Sequence, residues 1–226
     1  MNKAAIFDLD GTLADTALDL LSAGNLTFEE MGINYRLKKN LDEGISSKGG
    51  RSTIRHGLLK AKGFIDEKSV ESLYPMFLKN YEKVIHENSI LYDGTLEMLK
   101  CLVSKKFRLG VCTNKPKKQA DILLKKLGIY SFFEIIVGPD TYGIAKPNPK
   151  PLKKIIDFLG SSLQSSVLVG DTSTDFLTSK AASVPFILVQ YGHGVVYQNF
   201  NTSCTPYLAK SAQGISDLIL KILKKY

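Results

Sequence analysis

The spacing of hydrophobic and polar positions changes along the chain. From Asp93 onward, short apolar runs alternate with apolar residues at helical intervals, and one more short apolar run opens the chain. Between 36 and about 88 no convincing strand pattern occurs, and the apolar residues recur at helical spacing. Short apolar strands that alternate with amphipathic helices are typical of βα units around a parallel sheet.

This pattern predicts individual elements. The predicted strands are Ala4–Leu9, Leu109–Thr113, Glu134–Val137, Val167–Gly170 and Phe186–Gln190. Helices are predicted after an N-cap at Asp15, over Leu96–Val103, Ala120–Leu127, Leu152–Leu159 and Phe176–Ala181, and from Ile215. In the helical block, Pro75 interrupts a series of apolar residues and is expected to start or kink a helix.

The expected fold class is α/β, with a Rossmann-like parallel sheet core flanked by helices and an inserted α-helical domain. The core domain is predicted over 1–15 and 89–226, and the inserted domain over 16–88. Ligands of open parallel sheets bind at the carboxyl ends of the strands, so functional residues are expected there.

Composition is that of an ordinary globular protein. The chain has 226 residues, of which 44% are hydrophobic and 23% charged, and this balance excludes collagenous, disordered and disulfide-scaffold classes. No apolar run reaches the ~18 residues of a membrane span. The first residues do not form a secretory signal, and three cysteines without metal-type spacing suit a reducing compartment. A cytoplasmic location without membrane contact is therefore expected.

The net charge of +8 comes partly from clusters, such as seven basic residues and no acid over 100–118. Such clusters favour anionic partners, including phosphorylated metabolites. A solvated basic surface is the preferred explanation, and no zinc-finger or RNA-binding signature accompanies the clusters. No specific nucleic-acid partner is predicted.

Polar residues stand at the predicted strand ends in four groups: Asp8 and Asp10; Thr113 and Asn114; Lys146 before Pro147; and Asp171 with Asp175. Several carboxylates that converge at one place repel each other, and a hard divalent cation such as Mg²⁺ relieves the repulsion. A hydroxyl, backbone amides and an ammonium supply donors for phosphate oxygens. The set predicts metal-assisted phosphoryl transfer, in which one carboxylate attacks phosphorus and another handles the proton.

These four groups resemble, in order, the four motifs of the haloacid dehalogenase superfamily, in its phosphatase branch with a helical cap inserted after the first motif. The motifs read Asp8-x-Asp10-Gly-Thr-Leu, Thr113-Asn114, Lys146-Pro-x-Pro and Gly170-Asp171-x-x-x-Asp175, so the resemblance covers the whole chain. Within the branch the chain is most similar to phosphoglycolate phosphatase-like proteins. These also tend to carry a glycine-containing aromatic turn, here Tyr191-Gly192-His193-Gly194.

The resemblance implies roles for the four acids. Asp8 is the nucleophile, which forms an aspartyl-phosphate, and also a Mg²⁺ ligand. Asp10 protonates the leaving group and then activates water, and its backbone carbonyl faces the metal. Asp171 binds Mg²⁺, and Asp175 supports the metal indirectly or through water. Asp175 also has a simpler role available as a cap or first-turn residue of the helix that follows.

The other implied site residues handle the phosphate and the rest of the substrate. Thr113 and the Asn114 amide hold the phosphoryl group, and Lys146 neutralises Asp8 and the phosphate charge. Substrate choice is expected to come from a cap loop over 46–52, where Lys48 or Arg51 can meet a second anionic group. The alternative is a solvent-exposed loop that caps a helix from Ser52.

The function expected from these observations is a Mg²⁺-dependent phosphomonoesterase for a small phosphorylated metabolite, with 2-phosphoglycolate as the leading candidate by resemblance. A sugar phosphomutase of the β-phosphoglucomutase type would use the same residues, and a pyrophosphatase is a third enzymatic alternative. Two non-enzymatic alternatives are a binding or regulatory protein that kept the fold without turnover and a basic protein that binds nucleic acid non-specifically. The oligomeric state is expected to be a monomer or a homodimer.

Overall fold

A computed structural model describes residues 2–46, 48–192 and 207–225 of the chain. The chain divides into two compact units, one formed by Met1–Ala14 and Leu91–Tyr226 and the other by Asp15–Ile90. Among the described residues, no helix combines the length and the apolar composition that crossing a lipid bilayer requires.

The first unit is built on a parallel sheet. The strands of the described residues are β1 (Asn2–Phe7), β2 (Ala14–Asp15), β3 (Ile90–Leu91), β4 (Arg108–Cys112), β5 (Ile135–Val137), β6 (Ser161–Gly170), β7 (Phe186–Val189) and β8 (Tyr207–Ala209). Six of them form a sheet in the order β5-β4-β1-β6-β7-β8, and every neighbouring pair is parallel. Strands β2 and β3 form a separate two-stranded sheet. The predicted α/β class with a parallel core sheet is confirmed.

Helices follow the strands in alternation. The α-helices of the described residues are α1 (Ala17–Glu30), α2 (Glu43–Ser46), α3 (Gly50–Lys62), α4 (Glu67–Val84), α5 (Thr95–Ser104), α6 (Lys117–Lys126), α7 (Pro139–Tyr142), α8 (Lys150–Phe158), α9 (Ser173–Ala182) and α10 (Ala212–Ile222). Short 3-10 helices lie at Tyr130–Phe132 and Leu223–Lys225.

Both faces of the sheet are covered, which explains why its central strand is a continuous apolar run. Ala4 and Ile6 of β1 belong to a buried cluster with Leu152 of α8 and Phe176 of α9. Successive side chains along a strand point to opposite faces, so Phe7 of β1 lies on the other face from Ala4 and Ile6. Phe7 is also fully buried, which shows that this second face is covered as well. Helices α5 and α10 contact each other, and α10 also packs on β7 and β8. The core therefore fixes the strands and, with them, the positions of their carboxyl ends.

The second unit is helical. Helix α1 packs against α3 and α4, and the aromatic side chains Phe28, Phe77 and Tyr81 are buried between the helices. Asp19 of α1 is fully buried, yet its carboxylate is well satisfied. It accepts hydrogen bonds from the backbone N–H groups of Asn88 at 2.8 Å and Ser89 at 2.9 Å. This carboxylate therefore fixes the segment that follows α4.

Two expectations for the helical block need correction. Of the two outcomes expected at Pro75, a helix start is wrong, because α4 begins at Glu67 and runs through the proline, and a kink stays a prediction. The side chain of Asp66 provides the N-cap of α4 instead, since it accepts from the N–H groups of Lys68 and Ser69. The N-cap of α1 is Thr16, not Asp15, although the Asp15 carboxylate does accept from the N–H of Ala17 at 3.1 Å.

Candidate active site

Three neighbouring strands bring three of the predicted polar residues to one edge of the sheet. Thr113, Asp8 and Asp171 directly follow β4, β1 and β6, which are adjacent in the order β4-β1-β6. The N–H of Asp8 donates to the carbonyl of Val169 at 2.9 Å, and the N–H of Thr113 donates to that of Val137 at 3.0 Å. These bonds hold both residues in register with the sheet, so their positions are set by the strands and not by loops.

Three buried carboxylates form the centre of this edge. Each of Asp8, Asp171 and Asp175 offers an oxygen, and these oxygens all lie within 4.8 Å of one another. Charges of the same sign at this separation and burial repel one another, and a cation or a bound proton relieves the repulsion. Hard oxygen donors of this kind suit Mg²⁺.

Lys146 supplies one compensating charge. Its Nζ lies 3.0 Å from Asp8 Oδ1 and 2.6 Å from Asp175 Oδ1, and the side chain is buried. Burial disfavours the charged ammonium, but Asp175 and Asp8 outweigh this effect and raise the pKa of Lys146 above its ordinary value. The Asn114 side chain fixes the lysine backbone, since its amide donates to the Lys146 carbonyl and its oxygen accepts from the Lys146 N–H.

Asp8 lies in a site that disfavours its charge. Burial raises the pKa of Asp8, Lys146 lowers it, and the carboxylates of Asp175 and Asp10 raise it, so that the pKa lies at about 6, above its ordinary value. The Oδ1 atom also accepts from the N–H of Leu9 at 2.8 Å, which orients the side chain.

Asp175 caps a helix and also contacts Lys146, while its support of a metal stays a prediction. One oxygen, Oδ1, pairs with Lys146, while Oδ2 accepts from the hydroxyl and the N–H of Thr172. The Thr172 hydroxyl in turn accepts from the Asp175 N–H, so the two residues form a capping box at the start of α9. The side chain is therefore both a helix cap and a member of the carboxylate cluster.

Asp10 has a partner that the sequence analysis did not single out. The Nζ of Lys115 lies 2.8 Å from Asp10 Oδ1, and the lysine side chain is only 4% exposed. The N–H of Lys115 donates to the hydroxyl of Thr113 at 3.1 Å, which ties the lysine backbone to the strand end. The feature of the sequence that could have indicated Lys115 is its position two residues after Thr113, close to a predicted strand end.

Two glycines allow the backbone to approach Asp171 closely. Gly11 has φ +78°, and a Cβ there would lie 2.2 Å from Asp171 Oδ2; a Cβ on Gly192 would lie 2.2 Å from the Gly11 carbonyl. Beside Gly192, the Tyr191 hydroxyl donates to the Thr12 carbonyl at 3.2 Å. The aromatic turn thus packs on the first motif as far as it is described, since His193 and Gly194 lie outside the described residues.

The two predicted substrate contacts of the inserted domain lie in the helical unit. Lys48 is exposed in the turn before α3. Arg51 lies in the first turn of α3, where its Nε is 2.6 Å from Glu71 and its guanidinium stacks 3.6 Å above the Tyr74 ring. A role for either residue in substrate binding stays a prediction.

Comparisons with known proteins agree with this arrangement. The family model described as haloacid dehalogenase-like hydrolase matches residues 5–189. The phosphoglycolate phosphatase of Rhodospirillum rubrum is 36% identical over 197 residues, which are 85% of this chain and 81% of the relative. That of Aquifex aeolicus is 35% identical over 198 residues, 84% of this chain and 86% of the relative. The crystal structure of a subfamily IA hydrolase of this superfamily from Geobacter sulfurreducens has the same fold, with a TM-score of 0.73, 24% identity and coverage of 96% and 100%.

The covered parallel sheet with a carboxylate-rich edge, together with the family match, defines the class: the chain belongs to the haloacid dehalogenase-like hydrolases. Within that family it is a phosphatase, that is, a phosphoric monoester hydrolase, and it is similar to the phosphoglycolate phosphatases.

Loss of the Lys146 ammonium is expected to destabilise the fold. Without metal, Lys146→Met leaves Asp8 and Asp175 buried without a cation, so the free energy of unfolding should fall by about 3 kcal/mol. Urea denaturation in the presence of a chelator measures this loss. Lys150→Met, at an exposed position of α8, is the matched control and should change the value by less than about 0.5 kcal/mol. Equal stability of the two variants would contradict the compensating role of Lys146.

Proposed function

We propose that this phosphatase is a Mg²⁺-dependent phosphomonoesterase that hydrolyses a small phosphorylated metabolite through an aspartyl-phosphate on Asp8, with 2-phosphoglycolate as the leading substrate. The observation that carries the proposal is the buried cluster of Asp8, Asp171 and Asp175 with the Lys146 ammonium beside it. The choice of substrate is supported by the relatives from several bacteria, which are named phosphoglycolate phosphatase.

The donor set fits a hard divalent cation. Asp175 uses one oxygen for Lys146 and the other for Thr172, and in this proposal Asp8 and Asp171 are the carboxylates that ligate the ion directly. In this proposal the backbone carbonyl of Asp10 completes the protein ligands, and Asp175 supports the site indirectly. When bound, Mg²⁺ would neutralise negative charge on the phosphate oxygens and lower their repulsion of Asp8.

In the first chemical step, a carboxylate oxygen of Asp8 attacks phosphorus and the bond between phosphorus and the leaving oxygen breaks. Asp10 donates its proton to that oxygen, so an alcohol departs and an aspartyl-phosphate remains. Lys146, the Thr113 hydroxyl and the Asn114 N–H hold the phosphoryl oxygens in this proposal. The buried position of Lys146 strengthens its electrostatic effect.

In the second step, Asp10 acts as the base, because it left the first step as a carboxylate. It takes a proton from a water molecule whose oxygen attacks phosphorus, and the bond between phosphorus and the Asp8 oxygen breaks. Inorganic phosphate leaves, and Asp8 returns to its carboxylate form while Asp10 is again protonated. One residue thus serves both steps with opposite proton transfers.

The segment predicted as an inserted cap, 16–88, completes the proposal. The core domain is taken as 1–15 and 89–226, and the cap is expected to select among phosphate esters. Lys48 and Arg51 remain its candidate contacts for a second anionic group. We further propose that the protein acts in the cytoplasm as a monomer or homodimer.

The test is phosphate release from a panel of small monoesters, including 2-phosphoglycolate and hexose phosphates, with Mg²⁺ and with a chelator. We expect release that requires Mg²⁺ and is fastest with 2-phosphoglycolate. Release that persists fully under chelation would contradict the metal dependence. No release from any ester by folded protein would contradict the hydrolase, and phosphoryl transfer within a sugar phosphate would identify a mutase instead.

A further inference from the structure

Two buried lysines serve different parts of the site. Lys146 contacts Asp8 and Asp175, at the place where the proposed mechanism puts the phosphoryl group. Lys115 contacts Asp10, the residue that the mechanism places against the leaving oxygen. Removing an ammonium from water is costly, so a second buried lysine at a site that already has one requires its own explanation. The proposed mechanism assigns Lys115 no role.

The position of Lys115 relative to the leaving group follows from its contact with Asp10. Its Nζ is 2.8 Å from Asp10 Oδ1, and a hydrogen bond from Asp10 to the leaving oxygen spans about 2.7 Å. The ammonium therefore lies within about 5.5 Å of the leaving oxygen where Oδ1 makes that hydrogen bond, and within about 8 Å where Oδ2 makes it. Groups on the first carbons of the leaving alcohol are within its reach.

The chemistry of the ammonium indicates what it can bind there. A lysine ammonium has three N–H donors, so it can donate to Asp10 and to a second acceptor at the same time. A charge-assisted bond to a carboxylate is about twice as strong as a neutral hydrogen bond. The hydrogen bond from the Lys115 N–H to Thr113 fixes the backbone from which this side chain extends.

We infer that Lys115 is a substrate-binding residue that pairs with a carboxylate on the leaving group, and that the substrates are short phosphorylated hydroxy acids. This inference rests on the proposed function and deepens it. It assigns recognition of the second anion to the core, beside the acid–base residue. Lys48 and Arg51 of the predicted cap would then not be the groups that recognise the carboxylate.

The test compares two esters that differ in one group. Ethyl phosphate carries a methyl where 2-phosphoglycolate carries the carboxylate. For Lys115→Met we expect kcat/KM on 2-phosphoglycolate to fall about 100-fold, mostly through KM, because the carboxylate loses its cation. On ethyl phosphate the loss should be about 5-fold at most, from the weaker hold on Asp10. Lys115→Arg should restore part of the preference.

Other variants separate this inference from its alternatives. Lys117→Met removes a neighbouring lysine that pairs with Asp121 on α6, and it should keep the preference for 2-phosphoglycolate. Equal losses on both esters in Lys115→Met would mean that the lysine only positions Asp10, which overturns the inference. A preference that disappears in Lys48→Met or Arg51→Met but survives in Lys115→Met would also overturn it, in favour of the cap.

The wild-type protein provides a test that does not depend on a variant that folds. Its kcat/KM should decrease from 2-phosphoglycolate to ethyl phosphate, and again to 2-aminoethyl phosphate, whose cation faces the lysine. Equal rates on the first two esters would overturn the inference and leave the phosphatase intact. Failure to hydrolyse any of the three, or any other monoester, would instead refute the proposed function.

Discussion

Asp8→Asn is expected to lower kcat by about 10⁴-fold or more, because the amide that replaces the carboxylate is not a competent nucleophile. The substitution keeps the shape of the side chain, and the strand end that holds Asp8 is fixed by the backbone bond to Val169. Phosphate release from 2-phosphoglycolate under saturating Mg²⁺ measures the effect. Asp157→Asn, at an exposed position of α8, is the matched control and should retain full activity.

Residual activity would decide how Asp8 acts. If the variant kept more than about a tenth of the wild-type kcat, Asp8 would not form a covalent bond to phosphorus, since removal of a nucleophile has far larger effects. Circular dichroism of both variants establishes that the comparison is made between folded proteins.

Asp10→Asn should show a loss that depends on the leaving group. On 2-phosphoglycolate we expect kcat to fall about 10³-fold, because the departing alkoxide lacks a proton donor. With 4-nitrophenyl phosphate the leaving group needs little protonation, so attack by Asp8 should proceed. Hydrolysis of the aspartyl-phosphate still lacks its base, so a rapid burst of nitrophenolate followed by slow turnover is expected. Stopped-flow absorbance detects the burst.

The control for this experiment is Asp121→Asn, which removes the partly buried ion-pair partner of Lys117 on α6 and should behave as wild type. A variant of Asp10 that lost the same factor on both esters and showed no burst would contradict the assignment of both proton transfers to Asp10.

The core strands could be predicted because they are buried on both faces. A fully covered strand such as β1 is apolar at consecutive positions, which is visible without any structure. Strand β6 begins at Ser161, six residues before its predicted start. The prediction missed this first half because it is rich in serine and lacks an apolar run. The Ser161 and Ser166 hydroxyls donate hydrogen bonds to nearby backbone carbonyls, so these polar side chains are satisfied within the strand.

Strand β8 was missed because it has three residues and its side chains at Tyr207 and Leu208 are exposed.

The acids of the candidate site could be found because each group follows a predicted strand, and the order of the strands brings them together. Lys115 also follows a predicted strand, two residues after Thr113, but the sequence does not distinguish it from its basic neighbours. It lies in a stretch of seven basic residues over 100–118, and composition does not distinguish a buried lysine from solvated ones. Its burial against Asp10 depends on the turn after β4, which is a tertiary property. The roles of Lys48 and Arg51 in substrate binding stay predictions.

The most direct test of the covalent mechanism is to identify the phosphorylated residue. Wild type and Asp10→Asn are mixed with 4-nitrophenyl phosphate and Mg²⁺, quenched in acid during turnover, reduced with borohydride to mark acyl phosphates, and analysed by mass spectrometry. The mechanism predicts a mark on Asp8 alone, more abundant in Asp10→Asn and absent from Asp8→Asn. A mark on another residue, or no mark in Asp10→Asn while phosphate is released, would contradict it.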